Sequence, residues 1–155
     1  MQVLTLDQVG LVAIGRNEGV RLEQCLRSVM GCVSAIVYVD SGSTDGSVLM
    51  AQSIGIPVIS LDLSIPFTAA RARNAGFEHL LEIMPTIKFV QFVDGDCEVI
   101  QGWLESAVQA FDAHPDVVAV CGWVKERYPE RSIYNRICSV EWLTGSLGRI
   151  SRARS

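Results

Sequence analysis

Histidine is scarce in this chain. Only His79 and His114 occur, and neither has a motif partner. A histidine-activated nucleophile therefore has little to work with, and both residues are expected at the surface or at helix ends. Long apolar runs are also absent: none reaches the roughly 18 residues of a membrane-spanning helix. Met1 to Gly10 carries no basic segment, so a signal peptide is not expected. The five cysteines, Cys25, Cys32, Cys97, Cys121 and Cys138, are widely spaced, odd in number and form no Cys-x-x-Cys pair. That argues against zinc and for reduced thiols in a cytoplasmic protein. A net charge of −4 gives no general electrostatic drive toward nucleic acid or anionic lipid. Two nucleotide signatures are missing. Without Gly-x-Gly-x-x-Gly a nicotinamide or flavin site is unsupported, and without Gly-Lys-Ser/Thr a P-loop is excluded. No internal repeat or low-complexity linker occurs.

What is present is apolar. Hydrophobic residues make up 49% of the 155, and charged residues 19%. Mean hydropathy is +0.30. This length suffices for one sizeable core, and the composition suits a largely parallel, buried sheet. Strand and helix patterns alternate along the chain. Strands are expected at Val9 to Ile14, Ala35 to Val39, Pro57 to Leu61, Lys88 to Val93 and Val117 to Cys121. Helices are expected over Glu18 to Met30, from Ser43 or Thr44 as cap to about Ser53, over Thr68 to Ile83, over Gly102 to Ala113 and over Arg131 to Leu143. The first of these puts Leu22, Cys25, Leu26, Val29 and Met30 on one face. The tail from Arg149 to Ser155 is short and basic, and is expected to be disordered. Alternating units of this kind predict an α/β fold, a doubly wound, mostly parallel sheet flanked by helices.

The segment Phe92-Val93-Asp94-Gly95-Asp96-Cys97 carries the most information. Two carboxylates, one residue apart, follow an apolar strand. The carboxyl end of a buried strand is where open α/β sheets place ligands. Two hard oxygen donors there suit Mg²⁺ or Mn²⁺ bridging to substrate phosphates. An acidic turn explains the pair equally well in isolation. A second strand ends in Asp40-Ser41-Gly42-Ser43-Thr44-Asp45, a small-residue loop that a nucleotide could approach closely, or an ordinary capped turn. Asp40 to Ala51 fails as a calcium-binding EF-hand, having Asp45 at its sixth position and Ala51 at its twelfth. Arg16-Asn17-Glu18 ends the first strand, as a helix start capped by Asn17 or as a polar pocket wall. In Ala69-Ala70-Arg71-Ala72-Arg73-Asn74-Ala75-Gly76 the two arginines point in different directions. At most one should face a ligand, and the other can pair with a carboxylate such as Asp94. Trp103 reads as core; Trp123 could line an acceptor groove, although core packing is the better default.

Four of these pieces occur in an order that resembles the amino-terminal, nucleotide-binding half of family 2 glycosyltransferases, over about residues 8 to 130. They are Ala13-Ile14-Gly15-Arg16-Asn17-Glu18, Val39-Asp40-Ser41-Gly42-Ser43-Thr44-Asp45-Gly46-Ser47, Ala72-Arg73-Asn74-Ala75-Gly76 and Phe92-Val93-Asp94-Gly95-Asp96. The resemblance implies a GT-A type, Rossmann-like fold, a nucleotide-sugar donor (usually UDP-linked) and a divalent cation, Mn²⁺ or Mg²⁺. It implies that Asp40 and Ser41 line the nucleoside pocket, that Asn17 and Glu18 lie near base and ribose, and that Arg73 and Asn74 flank the nucleotide. It makes Asp94 and Asp96 the Asp-x-Asp motif, with Asp96 the closest metal ligand and Asp94 nearer the ribose or donor sugar.

The chain departs from the family pattern in three places. Ser41 stands where many members carry a second acidic residue, and Gly15 replaces a usual proline. Nothing after Trp123 matches the family's catalytic base, although Glu126, Glu130 and Glu141 follow. The resemblance thus implies inverting transfer of a sugar to an unknown sugar, lipid or protein acceptor, with the catalytic base unassigned. It divides the chain into a nucleotide-sugar-binding core, residues 1–130, and a helix plus basic tail, residues 131–155, opening a truncated acceptor half. An inactive nucleotide-sugar-binding module is the alternative. A sugar nucleotidyltransferase is less supported, because Gly15-Arg16-Asn17-Glu18-Gly19 is too short and too acidic for its loop. A homodimer, or swapping of the Arg131 to Leu143 helix, is expected from apolar surface near Trp123, Tyr134 and Trp142. The expected location is the cytoplasm, free or peripheral to the inner face of a membrane; no nucleic-acid partner is expected.

Overall fold

The computed structural model describes residues 4–141 and 150–151. Trp142 and Leu143, and all of the Arg149–Ser155 tail except Ile150 and Ser151, lie outside the described residues. The chain divides into two compact units, Met1–Glu105 and Ser106–Ser155.

The first unit is built on a parallel sheet. After a short 3-10 turn at Leu6–Gln8 come β1 (Val9–Gly15), α1 (Val20–Val29), β2 (Ala35–Asp40), α2 (Ser47–Ser53), β3 (Val58–Ser60), α3 (Ala69–Ile83) and β4 (Phe89–Asp94). The strand order is β3-β2-β1-β4, and every neighbouring pair is parallel. Successive side chains on a strand point to opposite faces, and both faces here are apolar. Leu11, Ala13, Ile36 and Tyr38 meet Leu22, Cys25, Leu26 and Val29 of α1 and Ala51 of α2. Val12, Ile14, Val37 and Val39 meet Ala72 and Leu80 of α3 on the other face. The doubly wound arrangement expected from the sequence is thus observed.

Helix α1 presents the stripe that its spacing predicts, with one exception. In α1 the buried residues Leu22, Cys25, Leu26 and Val29 recur at three- and four-residue intervals. Met30 ends that helix in extended backbone and is exposed, so it leaves the stripe. Gly76 lets α3 approach the sheet: a Cβ there would lie 2.3 Å from Val12 Cγ1 and 2.8 Å from Val39 Cγ2.

The expected cap of α2 is not formed. The helix begins after Gly46, with no side-chain cap from Ser43 or Thr44, because both residues bond elsewhere. Trp103 is half-buried, and its Nε1 donates to Gln91 Oε1 of β4 at 2.7 Å.

Helix α4 (Trp103–Ala113) carries the chain from the first unit into the second, which also holds β5 (Val117–Ala119), α5 (Ile133–Glu141) and β6 (Ile150–Ser151). The expected fifth strand forms, but its partner is the antiparallel β6 rather than the parallel sheet. A short apolar run signals a strand without naming its neighbour. The same pairing corrects the expectation of a structureless tail at Ile150 and Ser151. Glu126 ties the loop before α5 to that helix: its Oε1 accepts from Tyr128 N and from Asn135 Nδ2, both at 2.9 Å. Among the described residues, no helix is long and apolar enough to cross a membrane.

Candidate functional site

The chain order of the strands locates the site. From β1 the sheet grows through β2 to β3, then returns to place β4 on the other side of β1. The crevice beyond the carboxyl ends of β1 and β4 is therefore the switch point at which open α/β sheets bind ligands. Register brings the predicted acidic residues to it. Gly15 pairs with Asp40, and Ile14 pairs with Asp94. The ladders run on into the loops: Ser41 N donates to Gly15 O at 3.0 Å, and Gly95 N to Ile14 O at 2.7 Å.

Asp40 is only 3% exposed, and four donors face its carboxylate. Tyr38 Oη donates to Oδ1 at 2.9 Å and Ser43 Oγ donates to the same oxygen at 2.5 Å; the backbone N–H groups of Gly42 and Ser43 donate to Oδ2, each at 2.9 Å. Tyr38 and Asp40 lie two apart on one strand and so share a face. Burial pushes the Tyr38 hydroxyl above its ordinary range, and the neighbouring Asp40 charge pushes the same way. The Asp40 carboxylate is thus a fastening for its own loop.

Asn17 performs the matching task from β1. It adopts φ +57°, a left-handed conformation that asparagine tolerates. Its Oδ1 accepts from Thr44 N at 2.7 Å and lies 3.4 Å from Asp45 N, while its own N–H donates to Ser43 Oγ at 2.8 Å. Asn17 therefore caps the Asp40 loop rather than its own helix. Asp45 completes the join. Its Oδ1 accepts from Ser47 N at 2.9 Å, and Ser47 Oγ accepts from Gly19 N at 3.0 Å. Hydrogen bonds from the Ser47 side chain and backbone hold the Asp45 carboxyl below its ordinary range. Ser41 is buried, and its Oγ has no hydrogen-bond partner among the described residues.

On the β4 side, Asp94 Oδ1 accepts from Arg73 Nη2 at 2.8 Å, with both side chains partly exposed. Arg73 is thus the arginine that meets Asp94, and Asn74 is exposed beside it on α3. Arg71 turns the other way, to the carbonyls of Asp62 and Ile65. Glu18 is half-buried and pairs with Arg21, Oε2 to Nη2 at 2.7 Å. Asp96 is exposed, with the Cys97 thiol 3.5 Å from its Oδ1. Burial first, then the nearby Asp96 charge, pushes that thiol up to about 11. Cys25 beneath the same turn is pushed up to about 12 by burial, with Cys97, Asp96, Asp94 and Glu18 adding to it.

Among the described residues no group of three or more His, Cys, Asp or Glu could hold a metal ion by itself. Asp94 and Asp96 nevertheless fit Mg²⁺ or Mn²⁺, which characteristically take one or two carboxylates and complete their shell with water and substrate phosphate. With Asp94 Oδ1 on Arg73, Asp96 is the less encumbered donor.

Sequence reasoning missed Tyr38 and Ser47, and it weighed Arg71 only as facing a ligand or a carboxylate, whereas its guanidinium bonds to the backbone carbonyls of Asp62 and Ile65. Tyr38 was detectable from its position two residues before Asp40. Ser47 and Arg71 bond to backbone groups that leave no trace in the sequence.

A parallel sheet with helices on both faces, and acidic loops converging on its carboxyl edge, defines a GT-A, Rossmann-like α/β domain. A family model described as Glycosyl transferase family 2 matches residues 12–153. The chain belongs to that family. Similar curated proteins include Glycosyltransferase AglE of Haloferax volcanii, 29% identical over 133 residues, covering 81% of this chain and 42% of that protein. An uncharacterized glycosyltransferase of Rickettsia bellii is 34% identical over 59 residues, covering 38% of this chain and 20% of that protein. A TPR repeat-containing protein of Synechococcus elongatus is 30% identical over 101 residues, covering 64% of this chain and 23% of that protein. The chain thus spans less than half the length of these relatives.

Proposed function

We propose that this chain is the donor-binding part of an inverting glycosyltransferase that takes a sugar from a nucleotide-sugar, UDP-linked, with Mn²⁺ or Mg²⁺. The observation that carries the reading is that Asp94 and Asp96 close β4 and the Asp40 loop closes β2, on either side of β1 at the carboxyl edge of a parallel sheet. Family membership supports transfer over nucleotide-sugar synthesis.

Asp96 and Asp94 would hold the cation, whose charge offsets that building on the leaving diphosphate. The remaining roles belong to the chain itself. The loop that Asp40 and Asn17 fix would form one wall of the nucleoside pocket. Arg73, freed from Asp94, would face the diphosphate. Attack by an acceptor hydroxyl requires a general base. Glu126 is occupied by Tyr128 and Asn135, so it is poorly suited. The acceptor is a sugar, lipid or protein, met in the cytoplasm or at the inner face of a membrane.

Calorimetric titration with UDP, with and without Mn²⁺, tests this reading. Metal-dependent binding is expected, lost when the metal is chelated and lost in Asp96→Ala. Full metal-dependent affinity in Asp96→Ala would overturn the assignment. Product analysis with a nucleotide-sugar then separates transfer or hydrolysis from binding without turnover, and both from pyrophosphate release.

A further inference from the structure

Arg71 sits in the first turn of α3, where Thr68 caps the helix by accepting from Arg71 N at 3.1 Å. The guanidinium reaches back over the preceding loop: Nη1 donates to Ile65 O at 2.9 Å, and Nη2 to Asp62 O at 2.8 Å. Asp62 Oδ1 in turn accepts from Ser64 N at 2.8 Å. The loop is therefore fixed at both ends of the Asp62–Ile65 stretch, although Leu63, Ile65 and Phe67 are each more than half exposed. Ordering exposed apolar side chains costs entropy with little burial in return, so such a loop needs a reason to be held.

Its placement supplies one. Leu61 N donates to Asp40 O at 2.9 Å, so the loop leaves β3 directly beside the Asp40 loop. Leu63 then lies across Gly42, where a Cβ would be 2.8 Å from Leu63 Cδ2. Gly42 has φ +91°, a backbone conformation that favours glycine there.

We propose that Arg71 is a positioning residue for the donor site: it clamps residues 62–65 so that Leu63 covers the Asp40 loop, and nucleotide affinity depends on that cover. The proposal rests on the donor-site reading above. Arg71 itself touches no ligand in this account. A planar guanidinium suits the task because it can fork across two carbonyls at once, which an ammonium group cannot reproduce with the same geometry.

The test combines nucleotide titration, amide hydrogen exchange and thermal melting on Arg71→Met, Arg71→Lys and Leu63→Ala. In Arg71→Met, exchange should rise across residues 62–67 and UDP affinity should fall about tenfold, as expected for loss of charge-assisted hydrogen bonds, with the melting temperature little changed. Arg71→Lys should recover part of the affinity. Leu63→Ala should lower affinity without the rise in exchange. Wild-type affinity in Arg71→Met or in Leu63→Ala would overturn the proposal, as would unchanged loop exchange in Arg71→Met. An affinity loss in Arg71→Met that merely tracks global destabilisation, with Leu63→Ala normal, would overturn it too. If Arg71→Met does not fold, the affinity of Leu63→Ala decides. A wild-type chain that binds none of UDP, GDP, CDP, ADP and dTDP defeats the donor-site reading itself, and with it this dependence.

Discussion

Asp40 illustrates how far a residue's chemistry can be inferred from its position. A strand-end carboxylate beside small residues reads as a ligand contact, yet the four donors around it are protein groups. Buried carboxylates must find such partners, and this one finds them in its own loop. The sequence thus placed Asp40 at the end of a strand on the sheet's carboxyl edge while leaving its partners open, because backbone N–H groups have no letter in a sequence. Tyr38→Phe removes one donor to a charged acceptor and should cost about 1.5 kcal/mol in urea unfolding. Asp40→Ala strands the Gly42 and Ser43 N–H groups and should cost more, about 3 kcal/mol. Equal stability of the two variants would show that Asp40 does not organise the loop.

At the scale of elements, two joints set the geometry. The first is α3 against the sheet. Gly76→Ala gains helix propensity of up to about 1 kcal/mol. It also drives a methyl group into Val12 and Val39, whose β-branched side chains are stiff, and overpacking costs about 1–3 kcal/mol. The clash at 2.3 Å should win, so the variant is expected to be less stable in denaturant melts. The second joint is the start of α2, where Asp45 is held by Ser47. A carboxyl depressed in the folded state contributes stability above its unfolded value, 3.8, and loses it as pH falls through the folded value. Wild-type stability should therefore fall on acidification below about pH 5, and Asp45→Asn should lessen that slope. An unchanged slope in the variant would remove Asp45 from the acid response. The α3 stripe was legible as a helix over Thr68 to Ile83. The need for glycine at position 76 was not, since it arises from two strands distant in the chain.

For the molecule as a whole, alternation of apolar runs and helix stripes was enough to give the parallel sheet and its two helical layers. Pairing across long distances was not: β5 finds β6 about thirty residues later, a partner that no local pattern specifies. The second unit also leaves apolar groups in solvent. Ile133, Tyr134, Ile137 and Val140 fall on successive turns of α5 and are all exposed, Tyr134 by 77%. Trp123 in the same unit is 56% exposed. A continuous stripe of this kind favours association, because covering it removes apolar surface from water at about 25 cal/mol per Å². The chain is therefore expected to self-associate, with a mass in light scattering that rises with concentration. Ile137→Glu, which places a charge in the middle of the stripe, should shift that equilibrium toward monomer while leaving the parallel sheet of the first unit folded. A wild-type mass that stays monomeric at all concentrations would refute the expectation. A mass that rises equally in Ile137→Glu would move the contact away from α5.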